Sequence, residues 1–131
     1  MTGLALAQLA ERVMCCAKTA PDPGYDIGRG TYCIETYVSG GSSVWLRQQD
    51  SSTSAIWRPH ENPSQALALL EACCLKVGGY FKIIGHPGVT CEVLIQRSPT
   101  EVIASSDGQD LATAATLAVC RAMGIDPEAE A

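Results

Sequence analysis

The chain has 131 residues, 47% of them hydrophobic and 18% charged, which fits one domain with its own core and excludes a disordered chain. No apolar run approaches the roughly 18 residues that a membrane span needs, and Glu11 and Arg12 interrupt the apolar start, so no signal peptide is expected. Against 9 basic residues stand 14 acidic ones, and this net charge of −5 makes duplex DNA or RNA a poor partner, although a small anion needs only one or two arginines.

The first half of the chain predicts one helix followed by short strands. Apolar residues at three- and four-residue spacing predict a helix over 3–17, and the prolines and glycine of 19–24 stop it. β-branched and aromatic residues predict a strand over 32–38 and a return strand over 44–48, with two glycines as the turn. A short strand-like run follows at 55–57.

The second half begins with a helix and a hairpin. Asn62 is a suitable N-cap and Pro63 a suitable first residue, and two glycines end this helix after one apolar stripe. Strands are then predicted over 80–84 and 90–96, and a further strand at 102–105. Over 90–96, apolar residues alternate with polar ones, which is typical of a half-buried antiparallel strand.

The last helix is the clearest element. It starts from Asp107 or Asp110, and its alanine-rich stripe permits close packing. The order of elements predicts an α+β fold in which an antiparallel sheet of about four to five strands packs with two helices of the C-terminal half and an N-terminal helix. We expect a single domain over 1–131, with a flexible acidic tail at about 125–131.

The seven cysteines favour reduced thiols in a cytoplasmic protein. Their number is odd, two pairs are adjacent, and neither a CxxC motif nor a Cys/His cluster is present, so zinc and disulfides are the less favoured alternatives. No metal and no other cofactor is expected. The cysteines are Cys15, Cys16, Cys33, Cys73, Cys74, Cys91 and Cys120.

Motifs of catalysis are weak in this sequence. There is no G-x-S-x-G elbow, and Gly28-Arg-Gly30 precedes a strand rather than the helix that a phosphate-binding loop requires. His60 and His86 lie in predicted loops, and a cysteine–histidine nucleophile pair is the less favoured alternative. We therefore expect a protein that is not an enzyme.

Several residues are candidates for ligand binding. Tyr80, beside two glycines, could stack a base or sugar, although ordinary packing is the alternative. Arg97 is in phase with the apolar face of 90–96 and could reach its rim, or it could be a solvated strand end. The segment 105–108 could present N–H groups to a phosphate at a helix start, with helix capping as the simpler interpretation. Trp45 and Trp57 are expected in the core or in a subunit interface.

The chain resembles the phage ABA sandwich domain family. The likeness lies in Trp57-x-Pro-x-x-Asn-Pro-Ser-Gln-Ala66-Leu-x-Leu-Leu-Glu71, in the hairpin that follows, and in Ala114-Ala-Thr-Leu-Ala118-Val-Cys-Arg-Ala122. The opening Leu6-Ala-Gln-Leu-Ala-Glu-Arg-Val13 segment is also similar to the start of many members. The family is related to phage proteins that counter Thoeris immunity by binding cyclic ADP-ribose-type signals, and in some members cyclic oligonucleotides, without cleaving them.

This resemblance implies an α+β homo-oligomer, a dimer or higher, that traps a cyclic nucleotide second messenger in the host bacterial cytoplasm. In such proteins an aromatic ring and arginines hold base and phosphates, which implies ligand-binding roles for Tyr80, Arg97, Ser105, Asp107 and Gln109. Gln109 stands where an arginine would be expected in the loop before the last helix. The alternative function is a protein–protein inhibitor or structural accessory protein of phage origin with no small-molecule ligand. A nucleotide hydrolase is the third hypothesis.

Overall fold

The computed structural model describes residues 1–14, 32–37, 43–48 and 54–129, with side chains over 1–14 and 56–129. The chain divides into two compact units, which are described separately. The first unit comprises Met1–Trp57 with Glu128–Ala131, and the second unit is Arg58–Pro127. The α+β class and the antiparallel pairing are confirmed, whereas the single domain stays a prediction.

The first unit begins with α1, Gly3–Arg12. The hydroxyl of Thr2 caps the helix by accepting the backbone N–H of Ala5 at 3.2 Å. One stripe of the helix is buried, consisting of Ala5, Leu6, Leu9 and Ala10. The helix ends earlier than the predicted position 17, with Val13 as its C-cap, and 15–17 lie outside the described residues.

Three strands complete the first unit: β1 (Tyr32–Tyr37), β2 (Ser43–Gln48) and β3 (Ser54–Ile56). They form one antiparallel sheet in the order β1-β2-β3, and α1 contacts β1 and β2. Trp57 is buried and its indole N–H donates to the carbonyl of Leu6 at 3.1 Å, so it belongs to the core. The side chain of Trp45 lies outside the described residues.

Two well-capped helices frame the second unit: α2 (Pro63–Val77) and α3 (Leu111–Met123). The side chain of Asn62 accepts two backbone N–H groups at the start of α2, as predicted, and Asp110 rather than Asp107 caps α3. Both helices end at a glycine in the left-handed region, where a residue without Cβ is unstrained.

The sheet of the second unit consists of β4 (Tyr80–His86), β5 (Thr90–Ser98) and β6 (Glu101–Gly108), in that order and antiparallel. β6 is longer than the predicted 102–105, because 105–108 continues the strand instead of forming a loop. The described residues thus hold two sheets of three strands, and the predicted single sheet of four to five strands is not confirmed.

One face of this sheet is covered by α3, which contacts β5 and β6 and also packs against α2. Val93 and Ile95 on β5 and Ala104 and Ser106 on β6 are in register and buried, so they form the sheet side of this core. The helix side is rich in alanine, and a Cβ on Gly108 would lie 2.7 Å from a backbone nitrogen of α3. The alanine-rich stripe therefore does permit the close packing expected from the sequence.

Candidate functional site

An open, largely apolar groove lies between the C-terminal half of α2 and the start of β4, entirely within the second unit. Its volume is about 390 Å³, at the lower end of the range typical of small-ligand pockets. We call it the Tyr80 groove. Its lining residues are Glu71, Cys74, Leu75, Gly79, Tyr80 and Phe81.

Two glycines create the groove by taking the chain from the helix into the strand. Gly78 has a φ of 69° and its N–H donates to the carbonyl of Cys74, which closes α2. A Cβ on Gly79 would lie 2.5 Å from the backbone oxygen of Gln96, so only glycine lets β4 begin this close to β5. Tyr80 is consequently the first strand residue and stands directly beside the last turn of the helix.

The groove presents apolar surface with one acidic edge. Leu75 is 85% exposed and Tyr80 is 36% exposed, so both can contact a ligand without rearrangement. Burial raises the pKa of the Cys74 thiol, which keeps it protonated at neutral pH and makes it an apolar wall rather than a nucleophile. Glu71 is exposed and supplies carboxylate acceptors for hydroxyl or amino groups.

Gln96 is the unusual polar residue next to the groove. It pairs with Tyr80 across β4 and β5, so the two side chains lie on the same face of the sheet. Its side chain is only 4% exposed, and within the described part of the chain its buried Oε1 has no hydrogen-bond partner. A buried acceptor without a partner costs about 1–3 kcal/mol, and such a group requires an explanation.

Arg97 follows Gln96 on β5, and its exposed side chain reaches the C-terminal end of α2. Its Nε donates to the carbonyl of Val77 at 3.2 Å, and one terminal nitrogen lies 3.3 Å from a carboxylate oxygen of Glu101. These bonds use two of the five N–H groups of the guanidinium. Arg97 therefore holds the end of α2 while remaining near the Tyr80 groove.

The other three candidate residues lie farther along the sheet. Ser105 and Asp107 are exposed on β6, opposite Leu94 and Glu92 of β5, and Gln109 is exposed in the connection to α3. Asp107 pairs with Glu92, four residues along β5 from Gln96, the partner of Tyr80, so Asp107 and Tyr80 are about 13 Å apart along the strand direction, with β5 between them. The structure thus brings Tyr80 and Arg97 to one end of the sheet and Asp107 and Gln109 to the other.

The start of α3 is also occupied by its own cap. Asp110 Oδ1 accepts the N–H of Thr113 at 2.8 Å, and this hydrogen bond lowers the pKa of the Asp110 carboxyl. Segment 105–108 belongs to β6, so it does not form the start of α3, which Asp110 caps instead. Ligand binding by Ser105, Asp107 and Gln109 stays a prediction.

Reactive side chains elsewhere in the second unit are held in unreactive states. Burial raises the pKa of both Cys73 and Cys120 to about 11, so their thiols are protonated at neutral pH. Burial lowers the pKa of His60, which favours the neutral ring. Over 1–14 and 56–129, no group of three or more His, Cys, Asp or Glu residues is placed to hold a metal ion.

Sequence reasoning found Tyr80 but missed Glu71, Leu75 and Gln96 as its neighbours. One signal for Leu75 was present, because it is a large apolar residue outside the buried stripe of α2. None of the helices in the described ranges has the length and apolarity to cross a membrane. Comparison with protein families, characterised proteins and solved structures finds no match for this chain.

Proposed function

We propose that the Tyr80 groove binds a nucleotide and that the protein sequesters it without chemical change. The observation that carries this proposal is the exposed ring of Tyr80 beside an open groove of about 390 Å³, with a buried acceptor on Gln96 as its cross-strand neighbour. A ring in this position offers a stacking surface for a base, and base–aromatic stacking contributes about 1–3 kcal/mol per base.

Polar groups around the ring suit the remaining parts of a nucleotide. The carboxylate of Glu71 can accept hydrogen bonds from ribose hydroxyls, and the amide oxygen of Gln96 can accept one from the amino group of a base after a side-chain rotation. For the phosphates, Lys82 lies two residues from Tyr80 on the same face of β4, and Arg97 lies one residue beyond Gln96. These cations act locally, since the chain as a whole is acidic.

Retention without cleavage is supported by the state of the groove's own groups. The thiol of Cys74 is neutral, so the groove holds a protonated thiol where a cysteine nucleophile would need a thiolate. Combined with the resemblance to phage ABA sandwich proteins, this supports a cyclic nucleotide immune signal, of the cyclic ADP-ribose type or a cyclic oligonucleotide, as the ligand. The proposed role is that of a phage anti-defence protein acting in the bacterial cytoplasm.

Thermal shift with a panel of cyclic ADP-ribose isomers and cyclic oligonucleotides tests this proposal. At least one compound is expected to raise the melting temperature and to be recovered intact after the protein is denatured. Absence of any shift across the panel contradicts nucleotide binding, and recovery of a cleaved product contradicts sequestration.

A matched pair of variants then tests the ring. Tyr80→Leu removes the aromatic surface, whereas Tyr80→Phe keeps it and removes only the hydroxyl. Loss of stacking is expected to weaken binding by about 5- to 150-fold in Tyr80→Leu, with a much smaller change in Tyr80→Phe. Equal affinities of the two variants, measured by isothermal titration calorimetry, would place the ligand elsewhere.

The second candidate function is a protein–protein inhibitor or structural accessory protein with no small-molecule ligand. The observation that favours it is the exposure of Ile83, Ile84 and Val89 in the β4–β5 hairpin, which leaves apolar surface for a protein. Mass spectrometry of small molecules released by heat from the purified protein separates the two functions. A released nucleotide supports the first, and its absence together with a negative thermal-shift panel supports the second.

A further inference from the structure

The edge strand β4 is unusually open. Within the described sheet it has β5 as its one strand neighbour, and six of its seven residues are exposed. The backbone N–H and C=O groups on its outer side form a ladder that another strand can extend. The hydrogen-bonding pattern of such a ladder selects an extended peptide segment as its occupant.

The side chains of β4 do little to protect this edge. Strand edges that avoid pairing usually carry several charges, a proline or a bulge, but β4 has Lys82 as its one charged residue and an unbroken register over all seven pairs. Ile83 is 43% exposed and Ile84 is also exposed, so both faces of the strand present apolar surface. The edge is thus suited to association.

We propose that β4 pairs antiparallel with β4 of a second copy of this chain, with Ile83 of each copy opposite Ile83 of the other. In an antiparallel pair, directly opposite residues have their side chains on the same face of the sheet. When the two strands are identical and related by a two-fold axis, the residue on the axis therefore lies opposite the same residue of the other copy. Ile83 is the middle residue of β4, and an axis there pairs all seven residues and puts Lys82 opposite the partner's Ile84. The result is a continuous sheet of six strands.

The neighbouring registers are disfavoured by charge and by length. An axis at Lys82 would set two ammonium groups directly opposite each other, which is destabilising. An axis at Ile84 would leave Tyr80 and Phe81 facing the turn of the partner instead of its strand. The sequence of β4 therefore specifies one of the three symmetric arrangements.

The same register places an exposed apolar turn next to the Tyr80 groove. The turn between β4 and β5 carries Val89, which is 75% exposed. With Ile83 on the axis, Tyr80 lies opposite the partner's His86, so the turn of the partner begins directly beyond Tyr80, at the end of β4 where the groove lies.

Sedimentation velocity of the ligand-free protein tests the pairing, so the outcome does not depend on nucleotide binding. The full chain is expected to sediment as a dimer, and Ile83→Lys is expected to weaken the dimer on the order of 100-fold by opposing two charges. The matched control is Val102→Lys on β6, which places the same substitution at an exposed position of the other edge and should leave the dimer intact. Circular dichroism confirms that both variants are folded.

A cysteine scan tests the register. In Ile83→Cys the two new thiols are opposed at a Cα separation of about 4.5–5.5 Å, which a disulfide can span, whereas in Lys82→Cys they are diagonal at about 7–8 Å. Mild oxidation is expected to give a covalent dimer in Ile83→Cys well above the level in Lys82→Cys and in the parent protein. A monomer at all concentrations, a dimer insensitive to Ile83→Lys, or preferential cross-linking of Lys82→Cys would each overturn the proposal.

Discussion

The two edge strands of the second unit's sheet, β4 and β6, differ in how far other elements cover them. α3 covers β6, and Arg121 donates a 2.6 Å hydrogen bond to the Ser105 carbonyl. A break in register between Gln96 and Ser98 of β5 further distorts the pairing with β6. β4 has a regular ladder and exposed apolar side chains. We infer that the β5–β6–α3 core, against which α2 packs, provides stability, and that the exposed strand β4 and the groove beside it provide recognition.

The largest expected effect on stability distinguishes the central strand β5 from the exposed edge strand β4. Ile95 on β5 is fully buried, so Ile95→Ala should lower the free energy of unfolding by about 3 kcal/mol, through lost burial and the cavity left behind. Ile83 on β4 is half-exposed, and Ile83→Ala should cost less than about 1 kcal/mol. Urea denaturation followed by circular dichroism, at low protein concentration, checks both. Similar losses would show that β4 is as stabilising as β5.

A second prediction concerns the start of β4. Gly79→Ala forces a Cβ to within 2.5 Å of the backbone oxygen of Gln96, and backbone shifts of this kind cost about 1–3 kcal/mol. Gly85→Ala is the matched control on the same strand, because a Cβ there would meet no atom within 4 Å. Its stability should stay within about 0.5 kcal/mol of the parent protein. If thermal denaturation shows equal stability for both variants, the approach of β4 to β5 is looser than described.

Local signals explain which parts of this fold were predictable. The bounds of α2 and α3 followed from Asn62, Asp110 and the glycines after each helix, because a cap acts within a few residues. The end of α1 carried no such signal, since apolar spacing continues beyond Arg12. β6 was underestimated because 105–108 has the composition of a turn, yet Ser106 faces α3 and is buried.

The candidate site was less predictable than the elements that form it. Tyr80 could be singled out from its position after two glycines. Its neighbours could not, because Glu71 and Leu75 lie on α2 and Gln96 lies on β5. Gln96 reads in the sequence as a polar strand residue, and its burial becomes visible only when β4 is aligned with β5. Contacts between segments far apart in sequence depend on tertiary packing, which periodicity does not encode.

The third prediction compares the two helix caps. Asn62→Ala and Asp110→Ala should each cost about 1 kcal/mol at neutral pH, because each leaves helix N–H groups without their side-chain acceptor. The two variants should differ in acid. The folded-state pKa of Asp110 is lowered by the Thr113 N–H, so its contribution is complete above the ordinary value of 3.8 and is lost as the pH falls through the folded-state pKa.

The measurement for the caps is the difference in unfolding free energy between parent and variant, at neutral pH and in acid. For Asp110→Ala this difference should shrink in acid, whereas for Asn62→Ala it should stay constant because an amide does not titrate. His60, whose pKa is lowered, titrates in the parent and in both variants and cancels in the comparison. A pH-dependent difference for Asn62→Ala would contradict this account.

The smallest expected effect on stability tests the division between recognition and stability most directly. Arg97 and Arg121 both donate a hydrogen bond to a backbone carbonyl at an exposed position. Arg97 bonds Val77 beside the Tyr80 groove, whereas Arg121 of α3 bonds Ser105 on β6, at the far edge of the sheet. Replacing either arginine by glutamine should change the free energy of unfolding by less than about 1 kcal/mol, since exposed pairs contribute little.

The affinity for the ligand should respond differently in the two variants. If Arg97 meets a phosphate, Arg97→Gln weakens nucleotide binding by about tenfold, with reduced salt dependence, because a hydrogen bond to a charged group contributes about 1.5 kcal/mol. Arg121→Gln should bind as the parent protein does, and equal losses in the two variants would mean that the ligand does not distinguish the two edges of the sheet.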